Sequence, residues 1–155
     1  MEDRPYMIRM IPRNSCIGLA ILLLICFIDP CYALIILPNG TEVQKDQIPD
    51  LFSHSSLTMS KDPLEFFYDY DCQSCQQALE YLRSFEKKNP DIQITHFNLA
   101  YPEENRGLFS QQKSRFNTTK IHYPAVFIGD VVISGSSDII HYTGPIARAY
   151  LNLTS

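Results

Sequence analysis

Leu64-Glu65-Phe66-Phe67-Tyr68-Asp69-Tyr70-Asp71-Cys72-Gln73-Ser74-Cys75 is the stretch whose reading decides the fold. Leu64 to Tyr68 is short, apolar and aromatic, the pattern of a buried strand. After the turn residues Asp69 to Asp71, apolar side chains recur at Cys75, Ala78, Leu79, Leu82 and Phe85. That spacing makes one face of a helix reaching Lys88, where Lys87, Lys88 and Asn89-Pro90 give C-terminal charge and a stop. Cys72 and Cys75 therefore sit where a strand gives way to a helix N-terminus. Thiols at that spacing share a face and can close a small disulfide ring. The unpaired N–H groups and the helix dipole favour a thiolate on the first of them.

Downstream, Ile92 to Phe97 reads as a strand. Pro102-Glu103-Glu104 opens a helix to about Phe116, with acidic residues in its first turn. Pro124 to Ile128 is a strand, Gly129-Asp130 a tight turn, and Val131 to Ser134 its antiparallel partner. Ser136 or Ser137 caps a last helix to about Leu151, which Gly144-Pro145 should kink or split. The order from residue 64 is β-α-β-α-β-β-α, an α/β fold with a central mixed sheet flanked by helices.

The chain has 155 residues, 45% of them hydrophobic and 12% aromatic, enough for one domain with a real core and an N-terminal appendage. Its net charge is −4 and the basic residues are scattered, which excludes a nucleic-acid footprint. Of five cysteines, Cys16, Cys26 and Cys31 lie in or beside the N-terminal apolar segment. Only the Cys72–Cys75 pair is left for the domain, so a disulfide scaffold is excluded.

Arg4, Arg9 and Arg13 precede the apolar run Cys16 to Ile28. Residues 1–33 then read either as a signal peptide cut after Ala33 or as a retained anchor extending to about Leu37. Both readings place the domain outside the cytoplasm, secreted or membrane-anchored, because the positive charges precede the apolar run. Three sequons, at Asn39, Asn117 and Asn152, agree with export. Residues 34–63 read as a linker and N-terminal extension, with Leu57-Thr58-Met59 as an added strand, and 64–152 as the domain.

The Cys-x-x-Cys after the first strand, with Tyr123-Pro124 opening the strand–turn–strand that ends at Gly135, resembles the thioredoxin-like superfamily. The resemblance covers about Leu64 to Leu151, with 52 positions from Cys72 to Pro124. It implies a cis Tyr123–Pro124 bond packed beside the cysteine pair. The Tyr123 backbone would then be open to an extended polypeptide docking as an added strand. It also implies Cys72 as the attacking thiolate and Cys75 as the resolving thiol. Gln73 and Ser74 tune the pair; Ser74 can hydrogen-bond a sulfur or stand as a solvated turn residue.

The chain departs from thioredoxins proper in several places. Asp71 replaces Trp before the first cysteine, Gln73-Ser74 replaces Gly-Pro, and Phe66 holds the position of a buried Asp. Asp71 is expected to oppose ionisation of Cys72.

The expected function is extracytoplasmic thiol–disulfide exchange with protein thiols or disulfides, as a reductase fed by a membrane electron donor, without cofactor and as a monomer. The rival from another class is a redox-silent binding module on the same fold. A metallochaperone is the third reading. No metal site is expected, because zinc wants four ligands and the domain has one cysteine pair. His122 lies near Pro124 in sequence, whereas His54, His96 and His141 show no ligand spacing.

Overall fold

The computed structural model describes residues 34–48, 50–51 and 63–154. The chain divides into two units, Met1–Cys31 and Tyr32–Ser155, and all described residues belong to the second. The signal or anchor, its cut after Ala33 and the strand expected at Leu57-Thr58-Met59 lie outside the described residues. No helix among the described residues is long and apolar enough to cross a membrane.

Six strands form one mixed sheet: β1 (Leu34–Ile36), β2 (Glu42–Val43), β3 (Leu64–Tyr68), β4 (Ile94–Asn98), β5 (Ala125–Ile128) and β6 (Val131–Ser134). Their order is β2-β1-β6-β5-β3-β4. Only β3 and β4 run parallel, with Leu64 opposite Ile94 and Tyr68 opposite Asn98. Three helices cover the sheet: α1 (Gln73–Lys88), α2 (Glu104–Ser114) and α3 (Ser136–Thr154). The β-α-β-α-β-β-α order from residue 64 is thus present.

The two-residue period of the strands explains the layers. Ile35, Phe66, Val126 and Ile133 join one core with Ala78, Leu79, Leu82 and Phe85 of α1 and Ile139, Ile146 and Ala147 of α3. Their neighbours Ile36, Phe67, Phe127 and Val132 join the opposite core with Phe109 of α2. Strands buried on both faces read as continuous apolar runs, which is how β5 and β6 look in the sequence. Phe67 anchors the second core, 4.7 Å from Phe97, 5.2 Å from Phe109 and 5.5 Å from Phe127 between ring centroids.

Five expectations are corrected. Within residues 34–63, expected as linker and N-terminal extension, 34–36 and 42–43 are strands: β1 pairs with β6 (Leu34 opposite Ser134) and with β2, so the sheet includes Leu34. The apolar residues of β1 gain their meaning only from that long-range pairing. A second difference is at Pro102, which does not open α2. The helix starts at Glu104, and Pro102 precedes it in a turn whose carbonyl accepts from Asn105 N at 3.1 Å. Third, β4 starts at Ile94 rather than Ile92.

The fourth correction is that the split expected as one alternative at Gly144-Pro145 does not occur: α3 runs through it as one helical element, although Pro145 has no N–H to donate. Burial of Ile139 before the proline, and of Ile146, Ala147 and Tyr150 after it, holds both halves to the core. The expected serine cap is absent as well. Ser136 Oγ is buried without a partner among the described residues, and the first turn is closed by Ile139 N on Gly135 O at 3.0 Å.

Candidate active site

Cys72 is the N-cap residue of α1, with extended backbone (φ −89°, ψ 115°). At that position a side chain normally offers an oxygen to the first-turn N–H groups. Here the sulfur takes the role, and Cys75 N donates to Cys72 Sγ at 3.3 Å. Ser74 Oγ lies 3.1 Å from the same sulfur. Cys72 is half-buried, whereas Cys75, one turn along the apolar face, is fully buried, and both are free thiols.

This placement separates the two thiols electrostatically. Partial burial is the largest single effect on Cys72 and opposes its ionisation. Hydrogen bonds from the Cys75 thiol, the Ser74 hydroxyl and the Cys75 and Ser74 backbone N–H groups together outweigh it, and its pKa falls below the ordinary value. Burial pushes Cys75 up to about 12, helped by its hydrogen bond to the Cys72 sulfur and by the negative charges of Cys72 and Asp69; a backbone hydrogen bond with Asp69 works the other way. The carboxylate that acts on the pair is therefore that of Asp69, and it acts on Cys75. Asp71, expected to oppose Cys72, instead gives its N–H to Asp69 Oδ1 at 3.0 Å, while Cys72 N donates to Asp69 O at 3.2 Å. These bonds fold residues 69–72 into the turn that ends β3.

The Tyr123–Pro124 bond is cis. Phe67 stands opposite Ala125, so Pro124 lies at the register level of Tyr68, at the end of β3 from which the cysteine turn departs. Pro124 is buried, and Tyr123 is 47% exposed. The segment is held from both sides. Ser134 Oγ accepts from His122 N at 3.1 Å and donates to His122 O at 2.7 Å, and Gly135 N donates to Pro124 O at 2.8 Å. Between these two held residues, neither the amide nor the carbonyl of Tyr123 has a hydrogen-bond partner among the described residues.

Cys72, Cys75, Ser74, Tyr123 and Pro124 are thus on one edge of the sheet. Gln73 is the first residue of α1 and exposed. Sequence reading missed Asp69 and Ser134. Asp69 resembles an ordinary turn residue, and Ser134 resembles the polar end of a hairpin strand. For Ser134 the one available signal is a polar residue in an otherwise apolar strand. No group of three or more His, Cys, Asp or Glu side chains among the described residues is arranged to hold a metal ion.

A reduced dithiol with one thiolate-prone sulfur and one buried, reluctant sulfur can attack a disulfide and then resolve the mixed product. No protein-family model, curated protein or solved structure matches the chain.

Proposed function

We propose that this is a thioredoxin-like thiol–disulfide oxidoreductase acting outside the cytoplasm. The observation that carries the reading is the pairing of Cys72, lowered below its ordinary pKa at a helix N-cap, with Cys75, raised to about 12 behind it. The cis Tyr123–Pro124 bond at the register level of Tyr68 supports the same reading. So does the Tyr123 backbone, unpaired among the described residues, which suits an extended chain docking as an added strand.

The Cys72 thiolate attacks one sulfur of a protein disulfide, and the other sulfur leaves as a thiolate that takes up a proton. The Cys75 thiol then loses its proton, attacks the Cys72 sulfur and releases the second substrate thiol. Two electrons pass from the protein's dithiol to the substrate, and the protein is left with a Cys72–Cys75 disulfide. A membrane-held dithiol donor returns the two electrons. The arginines ahead of the N-terminal apolar run support the compartment, as do the exposed sequon residues Asn39 and Asn117.

The test is the reduction potential of the pair, equilibrated against glutathione and dithiothreitol. A value near about −270 mV supports the reductase, and one near about −120 mV makes the protein a disulfide donor instead. A pair that exchanges with neither couple leaves a redox-silent binding module.

A further inference from the structure

Among the described residues, the end of the sheet where the dithiol stands carries more exposed carboxylates than basic groups. β3 and β4 end side by side, with Leu99 N donating to Tyr68 O at 2.7 Å, so Asp69–Asp71 and the segment Tyr101–Glu104 leave from the same edge. β5 runs the other way and begins there, which adds Tyr123. This edge carries the exposed carboxylates Asp71, next to Cys72 in the chain, and Glu103 and Glu104 at the start of α2. It also carries three exposed tyrosines: Tyr70 at 62%, Tyr101 at 80% and Tyr123 at 47%.

The basic groups described at this edge are His122 and Arg106, and Arg106 Nε donates to Leu99 O at 2.7 Å. At the far edge the charges are mixed, with Glu86 and Asp91 beside the basic groups. Lys87 and Lys88 end α1, Arg115 pairs with Asp130 of the β5–β6 turn at 3.0 Å, and Lys120 pairs with Glu42 at the start of β2.

Clusters of large exposed aromatic rings are rare on a surface that serves no partner, and tyrosine is a favoured contact residue. The acidic field around them selects the partner by charge. It lowers the energy of an approaching cation, and tyrosine faces accept lysine and arginine heads by cation–π attraction. The geometry points to a cationic, extended polypeptide segment, with Lys or Arg flanking its disulfide, as the substrate of this edge. The peptide backbone pairs with Tyr123, its disulfide meets Cys72, and its basic side chains lie over Tyr70 and Tyr101 toward Glu103 and Glu104. This rests on the thiol–disulfide exchange proposed above.

The experiment uses the reduced full-length chain and two disulfide-linked peptides of equal length, one with lysines and one with glutamates flanking the cysteine. Second-order exchange rates are measured at low and high salt and normalised to the uncharged disulfide of 2-mercaptoethanol. The expected result is a cationic peptide reacting about tenfold faster at low salt, with the gap closing as salt rises. Replacing Glu103 and Glu104 together, Glu103→Gln with Glu104→Gln, should narrow the gap, and Tyr101→Ala should slow the cationic peptide at high salt. Equal rates, or a faster anionic peptide, overturn the substrate assignment while leaving thiol exchange standing. Failure of all three disulfides to react overturns the redox reading and the substrate assignment together.

Discussion

Ser134 grips the backbone of His122 with both capacities of its hydroxyl, accepting from N at 3.1 Å and donating to O at 2.7 Å. Ser134 is 4% exposed, so water does not replace it easily. The grip falls immediately before Tyr123-Pro124 and makes β6 the support on which the proline segment rests. Ser134→Ala removes both part-buried hydrogen bonds to the His122 backbone, at a cost of about 0.5–1.5 kcal/mol for each. Urea denaturation should show that loss. Exchange with a protein disulfide should slow more than alkylation of Cys72, because Ser134 acts on the docking segment and not on the thiol. Equal slowing of both reactions would reduce Ser134 to a stability residue.

Ser74 is the one side-chain hydroxyl among the described residues that bonds the nucleophile, 3.1 Å from Cys72 Sγ. It is among the groups that lower the Cys72 pKa. Ser74→Ala should move the half-point of Cys72 alkylation by iodoacetamide to higher pH while leaving the fold intact. An unchanged half-point would return Ser74 to the solvated turn role.

Cys75 predicts the pH dependence of the reduced protein. Its folded pKa, about 12, lies above that of an unfolded thiol. A raised pKa means tighter proton binding in the fold, so its contribution to stability is complete below the ordinary thiol range. That contribution is lost as pH rises toward about 12. The reduced protein should therefore lose stability across this alkaline window, and Cys75→Ala should flatten the dependence in thermal melts taken at increasing pH.

The strand–turn–helix at 64–88 was legible because its signals are local: an aromatic strand, a turn, and an apolar face whose five members Cys75, Ala78, Leu79, Leu82 and Phe85 are all buried. The hairpin of Ala125 to Ser134 was legible for the same reason, with Gly129 at φ +56° in its turn. What failed was non-local. Leu34–Ile36 is a strand only because Val132, Ile133 and Ser134 lie beside it, almost a hundred residues on. Gly144-Pro145 disfavours a helix by propensity, and packing on both sides keeps the helix from splitting there. The site divided in the same way. Cys72 and Cys75 are marked by spacing, whereas Asp69 and Ser134 acquire their roles from a turn and a cross-strand bond that no short motif encodes.

Two glycines give opposite predictions from the same substitution. Gly107 lies inside α2, and a Cβ there would meet nothing within 4 Å. Gly107→Ala should stabilise by about 0.5–1 kcal/mol through helix propensity alone. Gly40 has φ +82°, and a Cβ there would stand 2.3 Å from the carbonyl oxygen of Asn117. Gly40→Ala must push apart the β1–β2 turn and the loop after α2, and should destabilise by more than the first change stabilises. Thermal melts of the two variants check both signs.

The Leu34 amide donates to Asp138 Oδ2 at 2.9 Å, tying the first residue of the sheet to the first turn of α3. Burial raises the Asp138 pKa above its ordinary value, against the lowering effects of that amide and of His141. A raised carboxyl contributes stability below the ordinary carboxylate range and loses it as pH rises through the folded pKa. A chain that begins at Leu34 would replace the amide by an α-ammonium at the same place, putting a positive charge against the carboxylate and pulling its pKa down. Compared with the same chain acetylated at Leu34, it should be more stable at neutral pH, by on the order of 1 kcal/mol. The difference should vanish when acid protonates Asp138. It should also fade as pH rises through the α-amine's own pKa, which the same pairing lifts above its ordinary value of about 8. Denaturant midpoints of the two forms across that range decide the matter, and a pH-independent difference would mean that the ammonium does not pair with Asp138.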